Sequence, residues 1–196
     1  FAIEQVHAVL DINDYAPFKD NPDIKVRLAK KEDDMIMGKM SSIVSEYQNA
    51  SPVFSPVFPE VITKIKENFM KLVDDESEIV FIAEANGKEF GFLDFEISSP
   101  NLMIPDRDVE LCVAGVDQSH KRSGAGKAMM NESCKILKEK GYAFIKTDWK
   151  ISNIASSNFW PLCGFHPIAY RMARYIDSNY AWANFNNNRL KEILTK

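Results

Sequence analysis

The chain has 196 residues, 45% of them hydrophobic and 27% charged, with a net charge of -4. That length holds one ordinary domain with a full core and an appended arm, and is too short for two domains. The acidic balance excludes a general nucleic-acid binder, which needs a basic face against phosphate, and no run of about 18 apolar residues exists to cross a membrane as a helix.

In chain order, residues 1–11 alternate apolar and polar side chains like a strand. Residues 1–24 are read as an N-terminal arm, 25–176 as the main domain and 177–196 as a C-terminal tail ending in a short docked helix with Leu190, Ile193 and Leu194. The chain opens on Phe1, without methionine, and its first nine residues faintly echo the segment from Phe165 to Ala173. Two readings stay open for the arm: the end of a preceding domain in a tandem protein, or a strand folded onto this domain's own sheet. Residues 25–28 form a short strand candidate. A helical pattern with Met35, Met37, Met40 and Ile43 follows, for which Asp33 or Asp34 is a candidate cap. Prolines at 52, 56 and 59 exclude helix or central strand over 51–59 and predict a loop, after which Val61, Ile65, Phe69 and Leu72 stand at helical spacing.

From residue 78 the period changes to that of strands. Runs at 79–83 and 89–97 flank Asn86-Gly87, a strong hairpin signal. After a loop at 98–107, a strand at 109–116 leads into a polar turn and a helix with Met130, Cys134 and Leu137 on one face, stopped by Gly141. A strand at 142–149, a short helix at 155–162 and a strand region at 165–176 complete the order. It predicts an α+β domain: a mixed, mainly antiparallel sheet with a central parallel pair and helices on both faces. Ligands of such sheets sit beyond a strand's carboxyl end, near a helix N-terminus, here around 116–127.

The three cysteines, Cys112, Cys134 and Cys163, are widely spaced and suit neither a disulfide framework nor a zinc site. They are expected to be reduced core thiols of a cytoplasmic protein, and no metal site is expected.

The turn reads Lys121-Arg-Ser-Gly124-Ala-Gly126-Lys127. Glycines let backbone approach a ligand, the amides of a helix's first turn point outward, and three cations add charge; a pyrophosphate suits that arrangement. A P-loop would need glycine at 121 and Ser or Thr at 128, where Lys and Ala stand, and a dinucleotide fingerprint would need glycine at 129, where Met stands. An ordinary glycine-eased strand-to-helix turn is the plain alternative.

The turn resembles the acyl-CoA-binding motif of the GNAT N-acetyltransferase superfamily, Gln/Arg-x-x-Gly-x-Gly/Ala after a strand ending in Val. Lys121 departs from the usual Gln or Arg, with Arg122 keeping the charge beside it. Downstream, Asn153, Ser156, Trp160, Gly164 and Phe165 resemble the family's Asn-x-x-Ala-x-x-x-Tyr-x-x-x-Gly-Phe, with Ser for Ala and Trp for Tyr. The likeness covers residues 25–176. It implies an acyltransferase moving an acetyl group from acetyl-CoA to a small-molecule or peptide amine by direct attack, and allows a homodimer. Cofactor contacts would come from Val116, whose backbone N–H meets the thioester carbonyl, from Lys121, Arg122, Ser123, Gly124, Ala125, Gly126 and Lys127, and from Asn153 and Trp160. Asn153 is equally a plain helix cap.

The resemblance also implies a general base at Glu110, on the strand before the turn; a solvated strand glutamate is the alternative. Trp160 stands where many members carry a tyrosine that protonates the leaving thiolate, and an indole cannot do this at neutral pH. Tyr170 and Tyr142 are the candidate substitutes, each otherwise a core or rim aromatic. His120 belongs to the phosphate rim. The acceptor would enter beside Tyr47, Phe54 and Phe58. A non-catalytic acyl-CoA-binding domain is the second reading, motivated by Trp160.

Overall fold

The computed structural model describes residues 1–97 and 106–174. The tail helix expected near Leu190, the end of the final strand and most of the loop at 98–107 lie outside the described residues. Seven strands form one sheet: β1 (Ala2–Asp11), β2 (Lys25–Leu28), β3 (Glu78–Ala85), β4 (Lys88–Ile97), β5 (Asp108–Val116), β6 (Phe144–Lys150) and β7 (His166–Ala173), in the order β2-β3-β4-β5-β6-β1-β7. Neighbours are antiparallel except β5 and β6, the central parallel pair. The helices are α1 (Asp34–Asn49), α2 (Pro59–Lys71), α3 (Ala125–Glu139) and α4 (Ile154–Leu162). The predicted α+β architecture is therefore present.

Local chemistry accounts for the joints. The β3–β4 turn needs positive φ at both central residues, and Asn86 and Gly87 adopt 52° and 71°. α3 is the crossover that parallel β5 and β6 require. Each sheet face has its own core. On one, α3 and α4 bury Met130, Leu137 and Trp160 against Phe81, Phe95 and Leu111. On the other, α1 sets Met37 and Met40 on Ile82 and Phe92, with Phe69 of α2 partly buried beside them.

Residues 2–11, set apart in the sequence as an arm, are an internal strand. β1 lies between β6 and β7, antiparallel to both, with His7 opposite Asp148 and Val6 opposite Tyr170. Val6, Ala8 and Leu10 alternate into the core.

Several residues depart from expectation. Met35 is exposed, because the buried stripe of α1 begins at Met37. α2 has no fully buried residue and Val61 is exposed; the helix packs by the partly buried Phe69 and by Met70, which lies against Gly38 of α1. Asp33 makes no side-chain cap on α1. Its carboxylate instead accepts from Arg27 Nη1 and Nη2 at 2.7 and 2.9 Å and from the Lys30 amide at 2.7 Å. The Arg27 guanidinium holds Asp33 below the usual carboxylate range. Cys112 was expected in the core with Cys134 and Cys163; those two are buried and Cys112 is exposed. The cause is a bulge: Phe95 faces Leu111 while Asp94 faces Val113, so Cys112 has no partner on β4 and leaves the alternation.

Candidate active site

The site begins where β5 and β6 part. Their parallel pairing runs from Asp108 opposite Phe144 to Leu111 opposite Thr147 and goes no further. Thr147 Oγ1 donates to the Leu111 carbonyl at 2.9 Å and pins this apex. Beyond it the strands diverge, and the gap opens into a cleft of about 890 Å³ lined by residues 112–116 of β5, residues 147–150 of β6, the start of α3, and Trp160 of α4. That size is ordinary for a small-molecule or cofactor site.

Backbone polarity follows from the pairing. The Asp117 amide donates to the Phe90 carbonyl on β4 at 2.7 Å. Successive amides of a strand point to opposite edges, so the Val116 N–H faces the open side.

At the far end, Gly124 takes φ 93°, a left-handed conformation that ends the turn and starts α3. The first α-helical bond there runs from Ala128 N–H to the Gly124 carbonyl. The amides of Gly126 and Lys127 therefore have no intrahelical acceptor and face the cleft mouth. Gly126 has a further reason to be glycine: a Cβ there would lie 2.8 Å from Phe159 Cζ. Ring packing of α4 against the first turn of α3, not only ligand approach, requires it. Ser123 Oγ accepts from the Ala125 amide at 3.3 Å, and its carbonyl accepts from Asn21 Nδ2 at 3.0 Å.

Lys121, Arg122 and Lys127 all line the cleft. Lys121 Nζ sits 4.4 Å from the Tyr47 ring centre and Lys127 Nζ 4.9 Å from that of Phe18, so aromatic faces hold two of the three cations. His120 stacks on Phe90 at 4.1 Å at the rim. Asn153 Oδ1 caps α4 by accepting from Ser156 N at 3.2 Å, and the residue also lines the cleft. Trp160 is buried between Phe159 and Phe165, with centroids at 4.9 and 5.6 Å, and presents an edge to the gap.

The candidate proton-transfer residues are not brought together. Glu110 is opposite Lys146, within the still-paired part of β5 and β6, and Lys146 Nζ is 2.9 Å from its Oε2. It is outside the cleft lining. Tyr170 is exposed on β7, two strands from β6, on the face that Val6 buries. At about 4.8 Å per strand it is remote from the gap. Tyr142 packs against the α3 core instead. Phe54 and Phe58 are exposed outside the cleft, whereas Tyr47 and Val53 line it, and Lys150 Nζ ties β6 to the proline loop through Ser55 Oγ at 2.9 Å.

Cys112 also lines the cleft. Desolvation, then the carboxylates of Glu110, Asp94 and Glu96, push its thiol up to about 12, so it offers no thiolate near neutral pH. Asp148 and Gln5, which sequence reading did not single out, stand in the same wall. Their signal was the alternation Lys146, Asp148, Lys150 between Ile145, Thr147 and Trp149: a strand with one charged face next to a buried one. Among the described residues no group of three or more His, Cys, Asp or Glu side chains is arranged to hold a metal ion, and no helix is long and apolar enough to cross a membrane.

The Acetyltransferase (GNAT) family model matches residues 42–165 of the chain. No curated protein matches by sequence. Among solved structures, the BH1408 protein from Bacillus halodurans, as a tetramutant, superposes with a TM-score of 0.66 at 17% identity, over 78% of this chain and 99% of that one. The aminoglycoside acetyltransferase meta-AAC0020 from an uncultured soil metagenomic sample, in complex with trehalose, gives 0.58 at 16% identity over 81% and 97%. AAC(6')-Iy in complex with the bisubstrate analog CoA-S-monomethyl-acetylneamine gives 0.57 at 18% identity over 79% and 97%.

Proposed function

This chain belongs to the GNAT acetyltransferase family, and from that premise we propose that it moves an acetyl group from acetyl-CoA to a primary amine by direct attack on the thioester. The observation that carries the reading is the parting of β5 and β6 beyond Leu111 and Thr147, which leads without interruption to the amides and cations at the start of α3. A pyrophosphate at Gly124, Ala125, Gly126 and Lys127, with Lys121, Arg122 and Ser123 at its rim, leaves the pantetheine arm to run up the gap past Asn153 and Trp160. The thioester carbonyl then meets a backbone N–H on the open edge of β5, between Val116 and the apex, as the donor for the developing oxyanion. Cys112, the cysteine in the cleft, offers no thiolate near neutral pH to form an acyl-enzyme, which favours direct transfer. Small-molecule amines are the favoured acceptors, as in the aminoglycoside complexes of its structural relatives. Three free cysteines suit the cytoplasm.

Calorimetric titration with acetyl-CoA, then thiol release with a panel of aminoglycosides, spermidine and lysine peptides, tests the reading. Binding with amine-dependent release is expected. Absence of acetyl-CoA binding would remove it. Trp160 at the tyrosine position favours the second reading, a non-catalytic acyl-CoA-binding domain; binding without release across the whole panel would select that reading.

A further inference from the structure

An amine acceptor arrives at neutral pH as an ammonium ion, whose lone pair is blocked until a proton leaves. A base near the thioester is therefore needed. Four groups on or beside the cleft wall are candidates. Glu110 is occupied by Lys146 at 2.9 Å, below the apex. The Cys112 thiol is a weak acid there. His7 lies one strand further from β5, on β1. Asp148 remains.

Its position follows from two facts of the sheet. It is the first residue of β6 after the last β5 pair, Leu111 with Thr147, so it stands at the apex of the gap. Thr147 turns inward to bond the Leu111 carbonyl, and alternation sends Asp148 to the opposite face, toward α1 and the proline loop. It lines the cleft there and, among the described residues, its carboxylate makes no hydrogen bond or ion pair. On the same face Gln5 of β1 also lines the cleft, and its Oε1 is buried with no partner among the described residues. An unpaired carboxylate thus faces the gap where an ammonium group must come.

We propose that Asp148 is the catalytic base, taking a proton from the acceptor ammonium at the apex. The assignment rests on the acetyltransferase reading. The freed lone pair forms the N–C bond at the thioester carbonyl, and the C–S bond breaks with its electron pair on sulfur. A second proton passes from nitrogen to the thiolate, giving CoA thiol and amide, and Asp148 returns its proton to solvent. This route needs no tyrosine at the position of Trp160.

The groups that face Asp148 are His7 opposite it on β1, Glu110 on β5, Arg171 on β7, and Lys146 and Lys150 on its own strand. Burial raises the Asp148 pKa, His7 and Arg171 oppose the rise and Glu110 adds to it. Only the ionised form accepts a proton, so kcat/KM for the amine rises with pH through that pKa.

The test uses the amine panel above. Asp148→Asn is expected to lower kcat/KM for the amine by about 10²–10⁴ and to abolish the rising limb, with acetyl-CoA affinity by calorimetry within about twofold. Asp148→Glu is expected to retain the limb at a reduced rate, and Glu110→Gln to change the rate only a few-fold. Asp148→Ser serves if the Asn variant fails to fold. Folded Asn and Ser variants that bind acetyl-CoA and turn over within about threefold of the wild type, limb unchanged, overturn the assignment. A wild type that binds acetyl-CoA and releases no thiol with any amine overturns the acetyltransferase reading itself, and the base with it.

Discussion

Single contacts decide how far the cleft tolerates change. At Gly126 a side chain meets the Phe159 ring at 2.8 Å from its first carbon. Gly126→Val is expected to cost about 1–3 kcal/mol of stability and to weaken acetyl-CoA binding at least tenfold, read by thermal melting and calorimetry. Adding Phe159→Leu to that variant recovers part of the affinity if ring packing is the cause. At the apex, Thr147→Val removes one buried hydrogen bond, a loss of about 1 kcal/mol. Its expected signature is a lower kcat with little change in acetyl-CoA affinity; the reverse pattern in steady-state kinetics would disprove a role for the pin. Asp94 lies almost fully buried against Glu78, and each leaves one oxygen, Asp94 Oδ1 and Glu78 Oε2, without a partner among the described residues. Burial, reinforced by Glu96, raises both pKa values; Glu78 raises that of Asp94 further, while the hydrogen bond from Asp94 opposes the rise at Glu78. The folded chain therefore holds more protons than the unfolded one above the ordinary carboxylate range near pH 4, and stability falls as pH rises from there through the folded pKa values. Urea unfolding between pH 5 and 8 is expected to show that slope, and Asp94→Asn to flatten it.

Elements depend on fewer joints than their lengths suggest. β2 is four residues long and at the sheet edge, yet Arg27 on it grips Asp33 with two nitrogens and Glu84 of β3 with a third at 3.1 Å. Arg27→Ala leaves Asp33 without its cation and Glu84 with only the exposed Lys25, 3.1 Å from its Oε1, and is expected to cost about 2 kcal/mol, discounted for partial exposure. Melting temperature is the measurement, and α1, whose start Asp33 organises, should loosen first in hydrogen exchange. Most elements were legible because their signals are local: Asn86-Gly87 for the hairpin, the change of period at residue 78, and Gly124 and Gly141 bounding α3. What was not legible depends on pairing between distant strands. The bulge that expels Cys112 exists only because β4 and β5 fall out of step there, and Asp148 gains its position only from where β5 stops pairing with β6. At Gly126 the sequence suggests close approach of a ligand, whereas the ring that demands glycine there comes from α4.

At the scale of the molecule, a chain of net negative charge sets three cations where a phosphate would lie. Lys121, Arg122 and Lys127 are at one end of the cleft; at the other, Asp148 and Glu110 are interleaved with Lys146 and Lys150, so that end is mixed in charge. Added salt is therefore expected to weaken acetyl-CoA binding more than it changes the KM of the amine. Equal salt sensitivity of the two would argue against the cationic end as the phosphate site. The sequence pattern located the cationic end through its glycines and left the Asp148 end unread, since charged residues alternating on a strand are ordinary until a neighbour strand turns away.

The position of β1 has a consequence for how the chain reaches this state. Residues 2–11 pair with residues 144–150 and 166–173, so this segment waits for two strands synthesised well after it before it has any partner in the sheet. Contacts of such sequence separation carry the largest loop-closure cost and slow the search. The hairpin of β3 and β4 and the β5-α3-β6 crossover can assemble early. The cleft wall, which takes Gln5 from β1, is then completed only at the final closure, making the cleft a late event in folding.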